Sequence, residues 1–259
     1  MDVRTSLSRR VCQEISHWSR SGWSFEAIEA HYDALAADYD AINESADSYF
    51  RRFTDAMRLA RLPDDAHVLD LCARTGNGTA YFYQQGKVGS AVCADVSTKM
   101  GMLCRQRLDA IGLKHYRWQQ ICSYEWPFAD GEFDVVLSLE TVEHFDDPHR
   151  FVQELGRVTR TGGTLLFSTP NVLWEPVHAL AAITGLHHSE GPHRFVPQRR
   201  LRAALSRAGF QIMHAETTVL IPAGPAWLLE AGKWLEERMR DTLMPLVGLR
   251  HFFICERLP

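Results

Sequence analysis

A short apolar run followed at once by a small-residue turn constrains this chain more than any other feature. Residues 68–71 (Val-Leu-Asp-Leu) predict a buried strand, and residues 72–79 predict a tight turn that opens a helix. Gly76 and Gly78 allow the backbone to approach a bound molecule closely, and the free N–H groups of a helix start favour a carboxylate or phosphate. The stretch therefore predicts a ligand crevice at the end of a strand.

Strand and helix patterns alternate from this point onward. Such alternation predicts an α/β fold with a mostly parallel, doubly wound sheet, helices on both faces and right-handed crossovers. Ligands of such sheets lie outside the carboxyl ends of the strands, so polar side chains there are the candidate site. The predicted strands are 68–71, 90–95, 116–121, 133–139, 163–168, 211–220 and 251–256, and the helices are 78–85, 98–111, 148–159 and 197–208.

The rest of the chain reads as helical additions to one domain spanning residues 1–259. An N-terminal helical cap (1–62) precedes a ligand-binding core (63–221), and a helical insertion (222–248) precedes the last strand (249–259). In the cap, Ser24 predicts the start of a helix that runs to Tyr39, and a second helix runs from Tyr49 toward Arg61. The insertion carries an apolar helical stripe that must bury against the core, a homodimer partner or an apolar substrate: Leu228, Ala231, Leu235, Met239 and Leu243.

Composition narrows the classes of function. The net charge is −4 with both signs interspersed, so no overall basic field predicts a nucleic-acid partner. The six cysteines are scattered without a C-x-x-C pair, which predicts reduced thiols in a cytoplasmic protein rather than disulfides or a zinc site. No apolar run reaches the length of a membrane span, and the N-terminus has no signal-peptide core.

Several ordered motifs resemble the class I S-adenosylmethionine (SAM) dependent methyltransferases, in particular the type 11, ubiquinone-type branch that acts on small molecules. Residues 68–76 resemble the pattern Val-Leu-Asp-Leu-Gly-Cys-Gly-Thr-Gly, with Cys72 and Arg74 at two glycine positions. Residues 130–136 match Asp-Gly-x-Phe-Asp-x-Val, and residues 169–171 match Thr-Pro-Asn. The resemblance implies a Rossmann-like seven-stranded fold, SAM as cofactor and S-adenosylhomocysteine as product.

A cofactor site follows from the residues and from this resemblance. Asp95 closes the second predicted strand, where a carboxylate can accept hydrogen bonds from ribose hydroxyls, because Ser97 already suits the cap of the next helix. The resemblance implies that the pairs Tyr32-Asp33 and Tyr39-Asp40 close over the cofactor; the alternative is a surface helix with two aromatic packing positions. We expect either a displaced glycine turn or an Arg74 that turns outward. The complete predicted set is Tyr32, Tyr39, Asp70, Cys72, Arg74, Gly76, Asn77, Asp95, Val96, Met100, Cys122, Ser123, Leu139 and Glu140.

His144 is the candidate general base, since imidazole can accept a proton near neutral pH; the alternative is a structural role in its loop. Residues 172–196, rich in Trp, His and Gly, predict a substrate loop, and their histidines lack the spacing of a metal site. The predicted substrate residues are Glu143, Trp174, His178, His193, Arg194 and Trp227.

These observations predict methyl transfer from SAM to a small aromatic or apolar acceptor, with oxygen slightly ahead of nitrogen or carbon as the reacting atom. The alternative is a catalytically inactive protein of the same fold that binds a partner. The altered glycine turn is the observation that supports this alternative. A homodimer is a further expectation.

Overall fold

A computed structural model describes Ser8 and residues 11–12, 24–44, 47–184 and 193–259 of the chain. Its described residues contain one seven-stranded sheet in the order β3-β2-β1-β4-β5-β7-β6. Strands β1 to β5 pair in parallel, and β7 is antiparallel to both of its neighbours. The strands are β1 (Ala66–Leu71), β2 (Val88–Asp95), β3 (Tyr116–Gln120), β4 (Phe133–Leu139), β5 (Thr159–Pro170), β6 (Phe210–Thr218) and β7 (Arg250–Arg257). The predicted fold class is confirmed.

Helices cover the sheet, and their apolar faces meet it in a core rich in phenylalanine: Phe82, Phe133, Phe151, Phe167, Phe252 and Phe253 are almost completely buried. Gly101 lets one helix approach β3, since a Cβ there would lie 2.1 Å from a ring carbon of Trp118. The helices are α1 (Phe25–Leu35), α2 (Tyr39–Glu44), α3 (Asp47–Leu59), α4 (Asn77–Gln84), α5 (Thr98–Ala110), α6 (Pro148–Val158), α7 (Glu175–Thr184), α8 (Gln198–Arg207), α9 (Ala226–Met239) and α10 (Met244–Val247).

The parallel strands bring distant residues to one edge of the sheet. Leu71 lies opposite Ala94, and Val68 lies opposite Val135, so β1, β2 and β4 end close together. Cys72, Asp95 and Glu140 follow or close these three strands. The predicted meeting of polar residues at the carboxyl ends is therefore confirmed.

The helical cap begins as predicted but is divided differently. Ser24 caps α1 by accepting a hydrogen bond from the Ala27 amide at 3.2 Å. The predicted helix to Tyr39 is wrong, because α1 ends at Leu35 and a turn separates it from α2.

The stretch predicted as a substrate loop is wrong in part. Residues 172–174 form a 3-10 turn and α7 follows directly, because the run Ala179, Leu180, Ala181 and Ala182 has high helix propensity. Residues 185–192, which include His187 and His188, lie outside the described residues.

The apolar stripe predicted for the insertion does not bury as a unit. Ala231 and Leu243 are exposed, whereas Gly232 is buried against Ile221. Glu236 of α9 points inward and accepts hydrogen bonds from Arg51 at 2.6 and 2.9 Å. A charged contact rather than the leucine stripe therefore joins α9 to α3. Among the helices of the described ranges, none has the length and apolar character needed to cross a bilayer.

Candidate functional site

The turn after β1 keeps the backbone shape of a glycine turn although two of its residues are not glycine. Cys72, Arg74 and Gly76 have φ angles of +55°, +52° and +79°, all in the left-handed region. This region costs a non-glycine residue roughly 1–2 kcal/mol. With these angles the strand turns directly into α4, and the displacement of the loop stays a prediction.

The Arg74 side chain lies inside the crevice rather than outside it. Its guanidinium donates hydrogen bonds to the carbonyl oxygens of Cys72 at 3.4 Å, Leu139 at 3.4 Å and Glu140 at 2.7 Å. These carbonyls end β1 and β4, and together they form a partly negative pocket that attracts a cation. The predicted outward orientation is wrong for that reason, and Arg74 is 9% exposed.

Asp95 lies at the floor of the same crevice and is 2% exposed. One carboxylate oxygen accepts from the Arg74 amide at 2.8 Å and the other from the Ser97 amide at 2.9 Å. Burial raises the pKa of Asp95, while these two amide hydrogen bonds oppose the rise. A carboxylate can accept about four hydrogen bonds, so Asp95 keeps capacity for hydroxyl donors.

Two cavities adjoin at this edge of the sheet. The crevice cavity, about 10 Å³, is lined by Ile28, Tyr32, Cys72, Arg74, Asp95, Val96, His144 and Phe145. The central cavity, about 80 Å³, is lined by Tyr39, Asn43, Ser48, Tyr49, Arg52, Arg74, Glu140, Glu143, His144, Pro170, His178, His193, Phe195, Leu249 and Arg250.

His144 lines both cavities and is 5% exposed. It ends a 3-10 turn (Val142–His144), and its Nε2 atom lies 3.1 Å from the Tyr32 hydroxyl oxygen of α1. The same ring meets that of His193 edge to face, with centroids 6.4 Å apart. A titratable imidazole thus stands between the two spaces, where a proton acceptor for a reacting group would be needed.

In the two Tyr-Asp pairs, the tyrosines line the cavities and the aspartates hydrogen-bond the turns. Tyr32 lines the crevice cavity and Tyr39 the central cavity. Asp33 accepts hydrogen bonds from the Ser97 hydroxyl at 2.6 Å and from the Lys99 amide at 3.2 Å. Asp40, in α2, accepts from Thr75 at 2.7 Å and Asn77 at 2.9 Å and pairs with Arg107. The cap is thereby held over the carboxyl ends of β1 and β2.

Two buried arginines of the central cavity were not predicted as site residues from the sequence. Arg52 is 4% exposed, with its guanidinium carbon 3.8 Å from the ring centroid of Tyr49. Arg250 is 2% exposed and donates to Glu140 at 2.6 Å. The sequence did contain one signal for Arg52. It shares the apolar face of α3 with Tyr49, Phe53 and Ala56, and a buried arginine on such a face usually has a binding partner.

Other predicted cofactor residues lie away from both cavities. Asp70 accepts from the amide and hydroxyl of Thr79 at 2.9 and 2.7 Å, and burial raises its pKa to about 6. Met100 is fully buried, while Cys122 and Ser123 are exposed. Gly76 and Asn77 shape the turn, and Leu139 contributes its carbonyl. Their cofactor roles stay predictions.

The predicted substrate residues separate into two groups. Glu143, His178 and His193 line the central cavity. Trp174 instead donates from its indole to the Val247 carbonyl at 2.8 Å, and Arg194 lines a different cavity beside α8. Trp227 is 71% exposed on α9 and lines neither of the two cavities described above. Within the described ranges, no group of three or more His, Cys, Asp or Glu side chains is placed to hold a metal ion.

Comparison with known proteins agrees with this geometry. A family model described as a methyltransferase domain matches residues 42–215. The chain therefore belongs to the methyltransferase domain family, and the predicted class I SAM-dependent methyltransferase of the small-molecule branch is confirmed.

Individual relatives are distant. The ubiquinone/menaquinone biosynthesis C-methyltransferase UbiE of Cronobacter sakazakii is 28% identical over 208 residues, which cover 70% of this chain and 81% of that protein. The match to another UbiE protein covers only 58% of that relative's length. Phosphoethanolamine N-methyltransferase 2 of Haemonchus contortus, solved with SAM, is 15% identical with a TM-score of 0.64, covering 88% of this chain and 57% of that one. The [4+2]-cyclase SpnF is 14% identical with a TM-score of 0.66, covering 92% and 99%. At these identities the solved structures support the fold alone.

The residues present fit SAM once the Arg74 side chain has moved out of the crevice. Asp95 offers a buried acceptor, and the carbonyls at the ends of β1 and β4 offer a place for a cation. Tyr32, Cys72 and Val96 complete the crevice wall. The Arg74 guanidinium occupies those carbonyls, so cofactor entry requires this side chain to move.

Proposed function

We propose that the protein transfers the methyl group of SAM to a small molecule whose reacting atom must lose a proton. The position of His144 carries the proposal, because its ring borders the crevice and central cavities and is paired with the Tyr32 hydroxyl. SAM supplies an activated methyl group when bound. The chain's own contribution is orientation, which alone can be worth about 7–11 kcal/mol, together with removal of the acceptor proton.

The reacting atom is an oxygen or a carbon in this proposal. Oxygen was slightly ahead in the sequence prediction, whereas the Cronobacter relative is named as a C-methyltransferase, which supports carbon equally. A phenol or an enol-like carbon both need a base, so His144 serves either. Tyr39, Tyr49 and Phe195 in the central cavity support a flat aromatic acceptor.

The test is turnover with methyl-labelled SAM and a panel of phenols and hydroquinones, with mass spectrometry to locate the label. His144→Gln should lower turnover by about a hundredfold, since general bases contribute roughly 10²–10⁴-fold, and should leave S-adenosylhomocysteine binding unchanged. His149→Gln, at an exposed histidine of α6, is the matched control and should have no effect. Full turnover in the His144 variant would remove this residue from the mechanism.

A second candidate function is binding without methyl transfer. The inward Arg74 favours it, and the cyclase named above has this fold under another activity. Calorimetric titration with SAM and S-adenosylhomocysteine separates the two candidates. No heat at high micromolar concentration would favour the binding protein.

Three coarser expectations stay predictions: a homodimer, a cytoplasmic location and a single domain. The exposed Trp227 and Trp234 of α9 support the first of these. Sedimentation of the purified chain measures it directly, and a mass of one chain at all concentrations would contradict the homodimer.

A further inference from the structure

One wall of the central cavity is built from two arginines and one carboxylate. Arg52 of α3 and Arg250 at the start of β7 are 4% and 2% exposed, and both line this cavity. Glu140, which follows β4, is their common partner. We propose that this wall binds an acidic oxygen group, a carboxylate or phosphate, carried by the methyl acceptor.

The two guanidinium groups do not share Glu140 equally. Arg250 Nε donates to one carboxylate oxygen at 2.6 Å, and its Nη1 atom donates to the Ser48 carbonyl at 3.0 Å. Arg52 Nη1 lies 3.6 Å from the other carboxylate oxygen, which is an ion pair without a close hydrogen bond. Arg52 also hydrogen-bonds Tyr39, yet of the two guanidinium groups its charge is the less closely paired with Glu140.

Arg52 also has a buried donor with no hydrogen-bond partner, its Nε atom. An unused buried donor costs about 1–3 kcal/mol, and more when the group is charged. The rings of Tyr49 and Phe53 hold the guanidinium, whose carbon lies 3.8 and 5.0 Å from their centroids, so it cannot turn away at low cost. A planar guanidinium held in this way suits bidentate binding of a carboxylate or phosphate.

Other charges around the wall do not cancel this preference. Arg74 repels Arg52 across the cavity, and its charge also attracts the carboxylates of Asp95 in the crevice and of Asp70 in β1. Glu143 lines the same cavity from the 3-10 turn beside His144, and its carboxylate accepts a hydrogen bond from Thr169 at 3.4 Å. Three arginines and two glutamates therefore line the cavity, and an incoming anion offsets the positive charge that remains.

The wall belongs to the acceptor rather than to SAM. Neither Arg52 nor Arg250 lines the crevice cavity that holds Asp95, whereas both lie with His144 around the central cavity. SAM also carries a sulfonium in addition to its paired ammonium and carboxylate, so it adds positive charge. This assignment of the acidic group to an acceptor rests on the proposed function.

The test is calorimetric titration of the full chain with sodium benzoate, sodium phosphate and neutral benzamide at constant ionic strength. We expect benzoate or phosphate to bind and benzamide not to bind, and the stronger of the two anions tells carboxylate from phosphate. Arg52→Gln should weaken the anion about tenfold or more, which is about 1.4 kcal/mol, and Arg52→Lys should weaken it less. Arg58→Gln, at a half-exposed arginine of the same helix, should change nothing.

Repeating the titration with saturating S-adenosylhomocysteine distinguishes the possible failures. Anion binding that persists supports an acceptor site, and anion binding without any S-adenosylhomocysteine binding overturns the methyl transfer while the acid site stands. Competition between the two, with Arg52→Gln weakening both equally, would overturn the acceptor assignment. Equal binding of benzoate and benzamide by the wild type would refute the acid site, even if every variant failed to fold.

Discussion

At the scale of single residues, Arg74 decides how easily the crevice opens. Its guanidinium holds three carbonyls that end β1 and β4, and its backbone holds a φ of +52°. Any ligand that uses these carbonyls must first displace the side chain, so part of its binding free energy is lost.

Arg74→Gly should therefore bind S-adenosylhomocysteine more tightly, by about tenfold, because it removes the competing cation and suits the left-handed backbone. Arg74→Ala removes the same side chain but keeps the backbone strain, so it separates the two effects. Calorimetry measures both variants. Weaker binding in both would mean that Arg74 contacts the cofactor directly instead of blocking it.

His251 gives the protein a specific acid sensitivity. Burial first, and then the positive charge of Arg202, lower its pKa from 6.5 to about 4. A lowered pKa means that the unfolded chain binds the proton more tightly, so the stabilisation is present above pH 6.5 and is lost as the pH falls toward 4. The loss is about 3 kcal/mol at most, at 1.36 kcal/mol per unit.

His251→Asn should flatten this part of the stability curve between pH 6.5 and 4, as measured by urea unfolding at several pH values. The amide can still bond Thr217, whose hydroxyl lies 2.8 Å from His251 Nδ1. Asp70 acts in the opposite direction: because its pKa is raised to about 6, it stabilises the folded protein as the pH falls through part of the same range. The difference between variant and wild type cancels that contribution, and parallel curves would contradict the role of His251.

At the scale of elements, the cap is attached to the sheet edge through a few carboxylates. Asp40 joins α2 to the turn before α4 and to Arg107 of α5, whereas the exposed Asp38 nearby has no side-chain contact of this kind. Because Asp40 is partly exposed, solvent screens its contacts, and together they stabilise the cap by about 1 kcal/mol.

Asp40→Ala should loosen the cap, with amide hydrogen exchange in α1 to α3 faster by roughly fivefold and β1 to β4 unchanged. Asp38→Ala is the matched control in the same segment and should leave exchange as in the wild type. Equal exchange in the two variants would show that packing of Tyr32, Tyr49 and Phe53 holds the cap without Asp40.

At the scale of the whole molecule, the parts of the fold set by local pattern were predictable. The strand pattern of β1, β2 and β4 alone predicts that Asp95 and Glu140 lie at one sheet edge, and the observed pairing agrees. Arg250 was missed because its place depends on β7 lying antiparallel beside β5, a tertiary pairing that local pattern does not contain. The inward position of Arg74 was missed, because its three carbonyl partners come together only after β1 and β4 have met.

The central claim is that the crevice beside Asp95 binds SAM. Its most direct test is calorimetric titration of S-adenosylhomocysteine into the wild type and into Asp95→Ala, side by side. We predict one equivalent bound by the wild type and at least about tenfold weaker binding by the variant, because a buried acceptor for hydroxyl groups is lost. Silence in the wild type, or the same affinity in both proteins, would contradict the account.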